Sequence, residues 1–166
     1  VNRKGFTLVE LLVVIAIIAI LGGILMIAIN PQSLIQKSRD AKRLEDVGTL
    51  VKAMNLALAD SEIQLAATGT CGTCTSLAGT QGVTGAGTDW VKFTIPTGKT
   101  GLSKFIPALP VDPVNTDANV YTFASTLSGF EFNAVMEHAD NLTKMSTDGG
   151  DNEDVYEAGT SLTILN

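Results

Sequence analysis

GFTLVELLVVIAIIAILGGILMIAI, residues 5–29, decides how the rest of this chain is read. Residues 11–29 include no charged or strongly polar side chain. At about 1.5 Å of helical rise per residue, the run is just long enough to cross a hydrocarbon core of about 30 Å. Two bases, Arg3 and Lys4, precede it, and a single acid, Glu10, lies within it. An acid inside a membrane helix costs about 2.5–3.5 kcal/mol on insertion scales, so it reads first as functional. The plainer reading is an acid in a first helical turn, favoured by the helix dipole and able to snorkel to the interface.

A secretory signal peptide is the competing interpretation. It would carry an apolar region of about 7–15 residues and then a small-x-small cleavage site. Here the run is longer, and Ile27-Ala28-Ile29-Asn30-Pro31 is a poor site of that kind. Gly5-Phe6-Thr7-Leu8-Val9-Glu10, with the apolar residues after it, instead resembles the N-terminus of type IV pilins and of type II secretion pseudopilins. The close resemblance spans residues 4–21; the remainder is similar only in general plan.

The resemblance implies a prepilin peptidase that cuts between Gly5 and Phe6 and methylates the new N-terminal Phe6. It also implies an inner-membrane assembly machinery and a helical homopolymer joined through the N-terminal helix. Glu10 then lies four residues from a new α-amine, its own or a neighbour's. Two unit charges 4 Å apart attract by about 4 kcal/mol at an effective dielectric of 20, before desolvation is subtracted. A neighbour's amine seeking that acid would set the axial register of adding subunits. Arg3 and Lys4 keep the N-terminus cytoplasmic, so the bulk of the chain is translocated. The implied location is the inner membrane for the precursor and a surface or periplasmic filament for the mature chain. Relatives often carry a proline where this chain has Ile27.

The 166 residues accommodate that helix plus one small domain. The expected division is a leader at 1–5, a membrane and polymerisation helix at 6–30, and a pilin-like head at 31–166. Within the head, 31–60 reads as an amphipathic helix, because Leu44, Val47, Val51, Met54 and Leu58 step by three and four. Lys42, Glu45, Asp46 and Lys52 are expected to turn away from that stripe. Residues 6–60 could form one long helix, bent at Pro31, with local unwinding between Gly22 and Pro31 in a filament. Residues 68–88 hold six glycines and seven threonines with no charge, and read as a loop that is mobile or functional. Residues 89–166 supply sheet and loops: a strand at 90–95, a hairpin from 119–126 and 129–136, and a last edge from 155–156 and 161–165. The fold class is therefore α+β, a long N-terminal helix packed on a small antiparallel sheet. Leu109-Pro110-Val111-Asp112-Pro113 with Tyr121 downstream resembles the Asp-Pro and aromatic pattern of major pseudopilins, where it docks a loop on the sheet.

Side-chain chemistry outside the N-terminus is sparse. The net charge of −6 becomes −8 once Arg3 and Lys4 are removed, which disfavours nucleic acid as a partner. Lys92, Lys99 and Lys104 are the only cluster on which such binding could be argued, and a solvated edge explains them better. Cys71-Gly72-Thr73-Cys74 lacks the strand-to-helix setting of a redox site and the further ligands of a zinc site. A local disulfide is the expected state after export, with free thiols as the alternative where export offers no oxidant. No cofactor is required, but the acidic stretch 147–154 is a candidate calcium loop, with Asp148, Asp151, Asn152 and Asp154 as ligands. Its spacing is not that of an EF-hand, and a solvated acidic turn is the alternative. Asn141-Leu142-Thr143 matches a glycosylation acceptor. His138 has no nucleophile or paired acid in sequence that would make it a base, so no enzymatic role is expected. The reading these features support is a structural prepilin subunit. A major pseudopilin and a membrane-tethered binding module that never polymerises are the alternatives.

Overall fold

The structure, a computed structural model, describes residues 5–69 and 71–165. Arg3 and Lys4 of the expected leader, and the side chain of Ile27, lie outside the described residues. Packing divides the chain between Ile35 and Gln36.

In the first unit, helix α1 runs over Leu8–Ile29 and continues through Gly22 and Gly23 without interruption. Its described side chains are all exposed. Asn30 ends it in the left-handed conformation, φ 44°. Helix α2, Pro31–Ala59, then begins with proline in its first position. There the missing N–H removes no helical hydrogen bond, so Pro31 starts a helix rather than bending one. The single helix expected over 6–60 is thus two.

In the second unit, α2 packs on a sheet of three antiparallel strands, β3 (Thr122–Ser125), β4 (Phe130–Ala134) and β5 (Tyr156–Gly159). A separate antiparallel pair joins β1 (Gln64–Leu65) and β2 (Phe93–Thr94). Helix α3, Ala139–Met145, lies between β4 and β5 in sequence. The register pairs Phe123 with Phe132 and Phe132 with Ala158, which sets these on the inward face with Phe130 and Tyr156. Trp90 meets Phe132 edge-on at 5.8 Å, and Phe123 lies 5.0 Å from Phe132. The inward side chains form one core cluster with Val47, Leu50, Met54 and Ala57 of α2.

The stripe on α2 differs from the expected one. Leu44, Val51 and Leu58 are only half-buried, and the core-facing line passes instead through Arg43, Asp46, Val47, Leu50, Ala53, Met54 and Ala57. Asp46, expected on the solvent face, is buried. The reason is a polar hub. Arg43 is wholly buried and donates from Nε to Asp112 Oδ2 at 2.6 Å and from Nη1 to Asp40 Oδ1 at 3.0 Å. It also lies 2.6 Å from Glu137 Oε1. Burial alone would depress the guanidinium's pKa, but Asp112 and Glu137 outweigh it and hold it above the ordinary value. Asp40 in turn accepts N–H groups of Glu137 and His138 and the side-chain amide of Asn141, fixing the start of α3. The Tyr121 hydroxyl donates to Asp46 at 2.9 Å, and burial followed by that carboxylate pushes its pKa upward.

The glycine- and threonine-rich loop is ordered around another acid. Asp89, 7% exposed, accepts the hydroxyls of Thr80 and Thr84 and the N–H of Thr84. A Cβ at Gly82 would collide with the Asp89 carboxylate, so glycine is what lets the loop close over it. The expected strand at 90–95 is pared to β2, because Trp90 and Val91 are buried as loop residues. The expected last edge is Tyr156–Gly159 alone; 161–165 is not a strand.

Arg43→Met should lower unfolding stability by about 3–5 kcal/mol, since it leaves the buried Asp40 and Asp112 without their cation, while Glu137 keeps Arg39; denaturant melts check this. Burial raises the Asp89 pKa, but the Thr84 and Thr80 donors reverse the effect and hold it below 3.8. Its contribution is therefore complete above pH 3.8 and lost as pH falls through its lower folded value. Asp89→Asn should cost about 1–3 kcal/mol at pH 7 and flatten the acid limb of the stability profile.

Candidate processing and assembly site

Gly5 and Phe6 precede the helix outside regular secondary structure, and both are exposed, Phe6 at 85%. No atom beyond the chain neighbours approaches within 4 Å of a Cβ built on Gly5. Both residues flanking this peptide bond are thus exposed. Thr7 then caps α1. Its hydroxyl accepts the Glu10 N–H at 3.3 Å, while the Glu10 carboxylate accepts the Thr7 N–H at 2.8 Å and the Thr7 hydroxyl at 2.7 Å. This is a reciprocal capping box, which satisfies two donors that a helix start leaves open. The pattern was readable in the sequence as Thr7-x-x-Glu10; the plainer reading of Glu10 as a first-turn acid noted the position but not the partner.

Beyond Glu10, Leu8–Met26 is long and apolar enough to cross a membrane, and none of it is buried within the chain. Bare in water, such a surface far exceeds the apolar patches that soluble monomers expose. The arrangement is a scissile-looking Gly-Phe bond, a capped helix start with one acid, and an unpartnered apolar helix.

The remaining candidate residues are distributed over the head. Cys71 and Cys74 form a disulfide. Asp148, Asp151, Asn152 and Asp154 are not drawn into a ligand shell. Asp148 accepts the N–H groups of Gly150 and Glu157, and Asn152 accepts that of Asp154. These are the bonds of a tight acidic turn. Among the described residues no group of three His, Cys, Asp or Glu side chains is placed to hold a metal ion. His138 caps α3, accepting the Asp140 N–H at its Nδ1. The Asn141 side-chain amide is tied to Asp40 and its side-chain carbonyl to Lys144, so the acceptor of the triplet 141–143 is engaged within helix α3. Lys104 pairs with Asp60 and Glu62, Lys99 with Glu62, and Lys92 donates to a backbone carbonyl. Lys99 and Lys104 are therefore neutralised locally by acids, while Lys92 is held by a backbone carbonyl. Asp112 of the Asp-Pro segment is held by Arg43, and its oxygen also accepts the Val114 and Asn115 N–H groups.

Residues 1–26 match the prokaryotic N-terminal methylation motif. That match, on the helix just described, supports a class III signal of the type IV pilin kind and a membrane-anchored precursor. The α+β architecture, a long apolar N-terminal helix followed by a helix and small antiparallel sheets, is that of a pilin-like fold. No curated protein and no solved structure matches the chain.

Proposed function

We propose that this chain is a structural subunit that is cut after Gly5, N-methylated at Phe6 and added to a helical filament through α1. The observation that carries the proposal is the methylation motif laid over a capped, wholly unpartnered apolar helix with Glu10 in its first turn. Before cutting, the Glu10 carboxylate is engaged by Thr7 of its own chain. Cutting creates a cationic amine at Phe6, a stronger partner for a carboxylate than a neutral N–H or hydroxyl. In a bundle of apolar helices the amine of an adjoining subunit and this acid would seek each other, because each is costly to leave alone. Register then follows from pairing one charge per chain, while the apolar surface supplies the adhesion. The role is structural, and the head serves as the outward surface of the filament.

A secretion pseudopilus is the second reading, favoured by the Asp112-Pro113 segment, which is clamped to α2 by Arg43. The two differ in where the filament ends: on the cell surface for a pilus, within the periplasm for a pseudopilus.

Glu10→Ala is expected to insert in the membrane normally and to yield less than a tenth of the wild-type filament, an effect of about 1.4 kcal/mol or more per added subunit. Glu10→Gln, which keeps the capping bonds without the charge, should fail in the same way. Normal filament from Glu10→Gln would show that the cap, not the charge, is what assembly needs.

A further inference from the structure

The outer edge of β3 is covered by two arms of one interrupted strand. Residues 74–76 lie antiparallel to it. The Phe123 N–H donates to Cys74 O at 2.9 Å, the Ser76 N–H donates to Tyr121 O at 2.8 Å, and Thr75 pairs with Thr122. A second arm, residues 66–68, holds the same edge nearer the hairpin tip. The Thr68 N–H donates to Ser125 O at 2.9 Å, the Ser125 N–H to the Thr68 hydroxyl at 3.0 Å, and the Ser125 hydroxyl to Ala66 O. The arms are out of register with each other. Continued from Thr75 and Thr122, the antiparallel pairing would set Gly72 opposite Ser125. Thr68 takes that place, so the chain between the arms holds four residues more than an unbroken strand needs.

The Cys71–Cys74 disulfide sits across that surplus. It holds 5.4 Å apart two Cα atoms that extended backbone would place about 10 Å apart. Gly72 and Thr73 turn between them, and the Cys74 N–H closes the turn on Cys71 O at 3.4 Å. The side-chain pattern does little to fix the register here. Residues 68–75 are Thr, Gly and Cys only, and a slip by an even number of residues turns no side chain to the other face. The arms are also unequally held. Cys74 and Ser76 are buried, at 3% and 2% exposure, and both ends of the Asn115 amide clamp Ser76. Ala66 and Thr68 are only half-buried and are held mainly through hydroxyls.

We propose that the Cys71–Cys74 disulfide is a redox-operated register lock. Closed, it stores the four surplus residues and keeps the 66–68 arm on Ser125. Opened by a dithiol, it lets the loop straighten and the arm leave, which uncovers the end of β3 next to the hairpin tip. Exchange enters at Cys71, which is partly exposed, while Cys74 is packed in the core. A thiolate of the dithiol attacks Cys71 Sγ, the bond between the two cysteine sulfurs breaks, and Cys74 leaves as a thiolate that takes up a proton. The second thiol of the dithiol then displaces Cys71. The dithiol ends as a disulfide and the chain as two thiols. An oxidising compartment closes the lock and a reducing one opens it.

The test is amide hydrogen exchange on the full-length chain in detergent micelles, with and without dithiothreitol, the thiol state being read by mass. In the reduced chain, protection of the Thr68 and Ser125 amides should fall by about tenfold or more, while that of Ser76 and Phe123 changes by less than about threefold. Cys71→Ser leaves Cys74 in the core and should show the reduced pattern whether or not dithiothreitol is present. If that variant does not fold, the oxidised and reduced wild-type chains decide alone. Unchanged protection at Thr68 and Ser125 after reduction would overturn the lock. So would an equal loss at all four amides, which would make the disulfide a general brace of the head. A bond that dithiothreitol leaves intact would overturn it as well.

Discussion

An apolar helix that finds no partner within its own chain is the constraint on which everything else here depends. Leu8–Met26 is exposed along its whole length, so the molecule is complete only in a bilayer or against other helices. Both environments remove water, and both raise the stakes for the one acid in the first turn. Within a single chain Glu10 meets that demand by closing a capping box with Thr7. The same geometry places the carboxylate one turn from the bond that processing would cut, so a local helix cap and an assembly contact can use the same atoms in succession.

The head relies on a different device. Its core is small, and it binds α2 to the sheet and loops through buried charge as well as through aromatic packing. Arg43 gathers acids from α2, from the Asp-Pro segment and from the start of α3, and Asp40 caps α3 from a distant part of the chain. Such a hub adds little net stability compared with an apolar replacement, but losing one member leaves the others without compensation. Asp89 does on a smaller scale for the threonine-rich loop what Arg43 does for the head.

These devices mark where the sequence was legible and where it was not. The N-terminal motif, the hairpin that became β3 and β4, and the helix after Pro31 could be read because their signals are local: a run of apolar residues, alternation, a proline. The buried line on α2 was displaced by about one residue because Arg43 and Asp46 look like solvent-facing charges until Asp112, Glu137 and Tyr121 are brought to them from 69 or more residues away. Helix α3 was missed for a related reason, since its start is secured by Asp40 rather than by a strong cap of its own. The order of the 68–88 loop depends on a carboxylate just beyond the stretch, which composition does not reveal. At the N-terminus the Thr7 and Glu10 spacing was visible, and only the capping reading was passed over.

The central claim is that the chain is matured at Gly5 and enters a polymer by its first helix. A mass spectrum of the N-terminal peptide from filaments sheared off the producing cells tests it most directly. The account predicts a chain that begins at N-methylated Phe6. A chain still carrying Val1 in membranes alone, or one cut near Asn30, would contradict it.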